Sequence, residues 1–129
     1  TIGAHSRSHL SLGQLSLAES RFEIEQSIGR IGRELSRPCR HFSFPYGDDA
    51  SAGAREFELA NEAGIATAVT GRSGLLRAEH GLALTSLPRI ALNGELQNRG
   101  APHVARRGVA YIQRISQPAG STQATPAIA

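Results

Sequence analysis

The sequence contains no methionine, no tryptophan and one cysteine, and few of its residues are aromatic. Because Cys39 stands alone, an intramolecular disulfide is excluded. The scarcity of aromatic side chains leaves few flat surfaces on which bases or sugars can stack. No stretch approaches the roughly 18 apolar residues that a membrane span needs, and no basic segment precedes an apolar core as in a signal peptide. We therefore predict no membrane span and no leader, and we interpret the missing methionine as typical of a fragment or a processed product.

Length and charge fit one ordinary globular domain. A chain of 129 residues, 40% hydrophobic and 19% charged, can bury a continuous core without disulfides. The formal net charge is +3, but the basic residues are scattered and only Arg106 and Arg107 are adjacent. We therefore expect no nucleic-acid partner. The competing hypothesis is a nucleic-acid-binding site near the helix predicted over residues 103–115. Its basic side chains would be Arg99, Arg106, Arg107 and Arg114.

The first 40 residues predict a strand end followed by a long helix. Residues 1–4 resemble the end of a buried strand. Ser16 and Glu19 form a capping-box pattern, which predicts that a helix begins there and ends before Pro38. Its buried stripe is expected to carry Phe22, Ile24, Ile28, Ile31 and Leu35. Its solvent face is expected to carry Glu23, Glu25, Arg30, Arg33 and Glu34.

Further strands and helices alternate along the rest of the chain. Strands are predicted over 41–44, 65–70 and 87–92, and helices over 52–63 and 103–115. Asp48, Asp49 and Ser51 are candidate N-caps for the second helix, which Gly64 closes. The alternation predicts an α/β fold with parallel strands and crossover helices. We expect residues 1–115 to form the domain and residues 116–129 to be a disordered tail.

His5 and His9 lie four residues apart, directly after the first predicted strand. Neutral imidazole is a good ligand for Zn²⁺ and similar ions, and this spacing allows two rings to approach one ion. The alternative is a pair of solvated side chains. A catalytic metal site also needs a third protein ligand. Asp48 and Asp49 are candidates, although capping a helix is the favoured interpretation of each.

Phe44-Pro45-Tyr46-Gly47 ends the second predicted strand in a turn. Proline fixes one backbone angle and glycine frees another, so the Tyr46 amide can point away from regular pairing. An exposed, oriented N–H group of this kind can stabilise an oxyanion. The alternative is an ordinary aromatic turn that seals the core.

Three motifs together resemble the polysaccharide deacetylases of the NodB-homology class, carbohydrate esterase family four. The motifs are His5-Ser6-Arg7-Ser8-His9, the stretch from Phe42 to Gly47, and Leu87-Pro88-Arg89-Ile90. The resemblance covers roughly residues 1–100. It implies a partial distorted (β/α) barrel and an enzyme that removes acetyl groups from N-acetylated polysaccharide or oligosaccharide, with a divalent metal, often Zn²⁺.

The resemblance also implies roles for individual residues. His5 and His9 are the implied metal ligands. The Tyr46 backbone N–H is implied to hold the oxyanion, and Arg89 to orient acidic groups. Phe44, Pro45 and Tyr46 are the implied substrate-binding residues.

Departures from the family pattern limit this interpretation. The Asp-Asp motif that supplies the general base and third ligand should precede the histidines, and this sequence does not contain it. Ser43 stands where many members have arginine, and the late Leu-His motif has no clear counterpart, although His80 and His103 are possible substitutes. We therefore predict the C-terminal part of a deacetylase domain, inactive alone and prone to self-association through uncovered apolar faces. The alternative is a non-catalytic module that binds glycan or protein.

Overall fold

The computed structural model of the protein describes residues 1–90. The helix predicted over 103–115, the tail over 116–129, His103 and the arginines of the nucleic-acid hypothesis lie outside the described residues. Within the described part, no helix combines the length and apolar character that crossing a bilayer requires.

Helices and short strands alternate along residues 1–90. The elements are α1 (Leu17–Leu35), β1 (His41–Ser43), α2 (Ala54–Glu62) and β2 (Thr67–Val69), with short 3₁₀ turns at Leu12–Gln14 and Ala78–Leu82. The observed strands are shorter than the predicted ones, but each lies within its predicted range.

The two strands pair in parallel, with Phe42 opposite Ala68. Isolated parallel bridges extend the sheet on both sides, from Ala4 to Phe42 and from Val69 to Leu87. Four segments therefore lie side by side in sequence order, and α1 and α2 connect the first three. The predicted parallel pairing with helical connections is confirmed. Residues 1–90 do not close into a barrel, and only the bridge at Leu87 represents the strand predicted to begin there.

Helix α1 begins and ends as its sequence predicts. The Ser16 hydroxyl accepts a hydrogen bond from the Glu19 amide at 3.3 Å, and the Glu19 carboxylate accepts one from the Ser16 amide at 2.9 Å. These reciprocal bonds form a capping box. At the other end Ser36 adopts a left-handed conformation, with φ of 49°, two residues before Pro38.

The N-terminus of α2 corrects the prediction. Gly53 is the N-cap, and its amide donates to the Glu56 carboxylate at 2.8 Å. The predicted cap Asp48 instead accepts a hydrogen bond from the Ser51 amide at 2.8 Å, in the turn before the helix. Hydrogen bonds from the side chain and backbone of Ser51 hold the pKa of Asp48 below its usual range.

The core lies between the sheet and the two helices. Phe42 and Phe44 project from alternate positions of one chain segment, and the Phe44 ring meets the Phe57 ring of α2 edge-on at 5.4 Å. Because α1 and α2 also contact each other, through Arg21 and Glu62 among others, both helices cover the same face. The buried apolar residues are Ala4, Leu12, Ile24, Phe42, Phe44, Ala52, Leu59, Ala60, Ile65 and Ala68.

The buried face of α1 matches the predicted stripe in part. Ser20, Glu23, Ile24 and Ser27 are buried, at the i, i+3, i+4, i+7 spacing of one helix face. Phe22, expected inside, is 47% exposed, whereas Glu23, expected in solvent, is 5% exposed. Of the predicted stripe, Ile24 is buried and Ile28 and Ile31 pack against the core. Phe22 alone is exposed, and the buried face also takes in Glu23 and two serines.

Candidate active site

The first histidine lies where the first segment of the sheet ends. His5 follows the bridge residue Ala4, and its Nδ1 atom lies 2.7 Å from the Ser43 carbonyl oxygen at the end of β1. A carbonyl oxygen only accepts hydrogen bonds, so Nδ1 carries the proton. In the neutral ring the lone pair is then on Nε2, which is free to bind a metal ion.

The second histidine reaches the first through an irregular loop. We call residues 5–9 the histidine loop; none of them is helical. Ser6 and His9 have positive φ angles of 59° and 57°, and the Ser6 hydroxyl accepts a hydrogen bond from the His9 amide at 2.9 Å. The His5 and His9 rings meet edge-on with centroids 4.7 Å apart. The pair is therefore brought together by a turn and not by the helical spacing of its residues.

Residues 44–47, the tyrosine turn, lie beside the histidine loop. The His9 and Tyr46 ring centroids are 5.0 Å apart. Tyr46 has a φ of 60° and is 60% exposed, whereas Phe44 and Pro45 are buried. Of the three predicted substrate-binding side chains, only Tyr46 is therefore exposed to solvent. Among residues 1–90 no acceptor contacts the Tyr46 amide.

Close backbone contact with Gly71 holds the tyrosine turn. The Gly71 amide donates to the Gly47 carbonyl at 2.8 Å. A Cβ atom added to Gly71 would lie 2.2 Å from the Tyr46 carbonyl oxygen, and one added to Gly47 would lie 2.2 Å from the Gly71 nitrogen. Only glycine fits on either side of this contact, so Gly71 is a site-supporting residue that the motif analysis missed.

Arg89 reaches the same strand end as His5. Its Nη1 atom lies 3.4 Å from the Ser43 hydroxyl oxygen, and its amide donates to the Arg72 carbonyl at 3.0 Å. Ser43 therefore has contacts on two sides, with the His5 ring at its carbonyl and the Arg89 guanidinium at its hydroxyl. The three motifs singled out from the sequence meet at this residue.

The two imidazoles fit a divalent metal such as Zn²⁺ by donor chemistry, but the described residues supply no third ligand. No group of three histidine, cysteine, aspartate or glutamate side chains in residues 1–90 could hold an ion. Asp48 bonds to Ser51. The Asp49 carboxylate lies 2.6 Å from Arg72 Nε, in an ion pair that is not aligned as a hydrogen bond. His80 is engaged elsewhere, accepting from the Arg77 amide.

A buried carboxylate that the sequence analysis assigned to solvent supports the histidine loop. The Glu23 Oε2 atom accepts hydrogen bonds from the Arg7 amide at 2.9 Å and the Ser8 amide at 2.7 Å. Two successive N–H groups that converge on one oxygen form a small anion-binding concavity. Glu23 therefore connects α1 to the segment between the two histidines.

No family model and no curated protein sequence matches the chain. Among solved structures it is similar to the deacetylase PplD of Streptococcus pyogenes, determined in complex with acetate. The TM-score is 0.63 at 23% identity, and the match covers 70% of this chain and 38% of that one. The deacetylase domain of BpsB from Bordetella bronchiseptica is similar at a TM-score of 0.45 and 22% identity, covering 57% and 26%. The chain thus shares a deacetylase-like fold over well under half of the PplD chain.

Proposed function

We propose that this chain contributes the histidine side of a metal-dependent deacetylase site that acts on an N-acetylated polysaccharide or oligosaccharide. The observation that carries the proposal is the cluster of His5, His9 and Tyr46 at the ends of neighbouring parallel segments. This cluster occurs in a fold shared with a deacetylase. The more specific assignment to carbohydrate esterase family four, with a partial barrel, is part of the same proposal.

His5 and His9 would hold the metal. When bound, the metal would act as a Lewis acid and lower the pKa of a bound water molecule. The hydrogen bond from His5 to Ser43 fixes the ring and its tautomer before any ion binds. The Tyr46 amide, which no acceptor among residues 1–90 contacts, would donate to the oxygen of the acetamide as negative charge develops there. Arg89, beside Ser43, would orient an acidic group, and the exposed Tyr46 ring would contact the sugar.

The cluster also predicts what the 129-residue chain does without further residues. Hydrolysis needs a general base as well as the metal, and the two imidazoles have no carboxylate beside them among residues 1–90. The same residues also offer no third metal ligand. We therefore expect weak metal binding and no acetate release. The alternative, a non-catalytic module that binds glycan or protein, has no observation of its own in its favour.

Zinc titration of the full chain tests this proposal. We expect Zn²⁺ to bind and to raise the melting temperature, because a ligand of the folded state stabilises it. The double variant His5→Ala, His9→Ala should lose both effects. His80→Ala removes a histidine whose ring contacts Arg77 and should keep both. Equal zinc binding by the wild type and the double variant would overturn the metal site. Acetate release from N-acetylglucosamine oligomers by the zinc-loaded chain would overturn the expectation of inactivity.

A further inference from the structure

The segment between the two histidines is held by one buried carboxylate. Glu23 is 5% exposed, and its Oε2 atom alone accepts both the Arg7 and the Ser8 amide hydrogen bonds. These two amides lie between His5 and His9, so the carboxylate joins the middle of the histidine loop to α1.

The loop conformation needs such support. Ser6 and His9 both adopt left-handed backbone angles, which residues other than glycine keep only where surrounding contacts impose them. His5 and His9 are exposed, so burial of the two residues does not impose these backbone angles. Hydrogen bonds to the backbone supply the restraint: the His9 amide donates to the Ser6 hydroxyl, and the two amides between the histidines donate to Glu23 of α1.

We propose that Glu23 is a positioning residue whose buried carboxylate holds the Arg7 and Ser8 amides and thereby keeps the His5 and His9 rings together. The role depends on the reach of the side chain from α1 more than on its charge, because a single oxygen accepts both hydrogen bonds. The zinc part of this inference rests on the proposed function. The effect on loop geometry does not.

Two substitutions separate reach from charge. Glu23→Gln keeps the length of the side chain and an oxygen that can accept both amides. Glu23→Asp keeps the charge and shortens the side chain by one methylene. We expect Glu23→Asp to weaken zinc binding about tenfold to a hundredfold, the usual effect of losing an outer-shell partner. Glu23→Gln should stay within about threefold of the wild type, since it preserves the acceptor. The opposite ranking would overturn the proposal.

A readout without metal makes the test independent of the proposed function. In apo protein, the Arg7 and Ser8 amides should exchange with deuterium about tenfold faster in Glu23→Asp than in the wild type. Ile24→Val is the matched control, because Ile24 is the next residue of α1 and is fully buried. It should lower the melting temperature and change neither exchange at these amides relative to the rest of the chain nor zinc affinity.

The combined results distinguish the two failures. If the wild type binds no zinc but Glu23→Asp frees the two amides selectively, the proposed function fails and the positioning role stands. If the amides of Glu23→Asp exchange as in the wild type, the positioning role is overturned whatever the zinc result.

Discussion

The histidine loop and the tyrosine turn lie side by side at the candidate site, but different parts of the chain hold them. Each carries a non-glycine residue in the left-handed region, His9 in one and Tyr46 in the other. The loop is held by side chains, the Glu23 carboxylate and the Ser6 hydroxyl. The turn is held by backbone packed against the backbone of Gly71. The two therefore differ in which substitutions they tolerate.

A region held by side chains responds to changes in the length or polarity of its partners. A region held by backbone contact responds to any added Cβ atom and little to polarity. His9 meets both regions, since its ring contacts His5 on one side and Tyr46 on the other. Substitutions in either region consequently change the geometry of the same cluster. The sizes of the resulting losses in stability and zinc affinity rank the two kinds of support.

Gly71→Ala should cause the largest effect. The added Cβ would lie 2.2 Å from the Tyr46 carbonyl oxygen, and backbone on both sides has to shift. We expect the free energy of unfolding to fall by about 2–3 kcal/mol, the upper range for overpacking. Urea denaturation of the full chain measures this change.

Gly81→Ala is the matched control, because no atom of residues 1–90 outside its own chain neighbours lies within 4 Å of a Cβ placed there. It should change stability by less than about 0.5 kcal/mol. Equal stability losses at the two glycines would show that the close contact at Gly71 does not hold the turn.

Ser6→Ala should have a smaller effect. It removes the hydroxyl that accepts the His9 amide hydrogen bond and leaves a left-handed residue without its local partner. We expect a loss of about 1 kcal/mol, typical of one hydrogen bond, and weaker zinc binding than in the wild type. Thermal unfolding and zinc titration measure the two quantities. Ser8→Ala, in the same loop, keeps the amide bond to Glu23 and should resemble the wild type. If it matches Ser6→Ala, the hydroxyl of Ser6 has no special role.

The elements of the fold were predictable from the sequence because their signals are local. The capping box of Ser16 and Glu19, the stop before Pro38 and the closing Gly64 each depend on residues within one turn of the helix end. The N-cap of α2 was wrong because Asp48 is used in the preceding turn, three residues from Ser51. Both Asp48 and Gly53 are acceptable N-caps, and the local sequence pattern does not decide between them.

The supports of the site were not predictable because they are long-range. Glu23 bonds to amides 15 and 16 residues away, and Gly71 packs against a turn more than 20 residues before it. The apolar pattern favoured Phe22 as buried, yet the buried face of α1 carries two serines and Glu23 beside Ile24. The available signal was the helical spacing of Glu23, which lies three residues after Ser20 and therefore on the same face of α1. The histidine and tyrosine motifs themselves were visible, since their residues are contiguous.

Glu19 provides the smallest expected effect and a baseline that lies outside both regions. Hydrogen bonds from the side chain and backbone of Ser16 lower the pKa of Glu19 from its ordinary 4.5. A carboxylate with a depressed pKa in the folded state stabilises the protein above the pKa of the unfolded chain. That contribution is lost as the pH falls below about 4.5 and through the folded pKa. Glu19→Gln should therefore flatten the fall of stability in this acidic range, and Glu58→Gln, at an exposed position of α2, should not. Urea denaturation from pH 6 to pH 3 measures the difference, and parallel curves for wild type and Glu19→Gln would contradict it.

Because the capping box touches neither the histidine loop nor the tyrosine turn, zinc affinity at neutral pH should stay unchanged in Glu19→Gln. An added loss of zinc binding there would mean that the start of α1, and not Glu23 alone, sets the position of the loop.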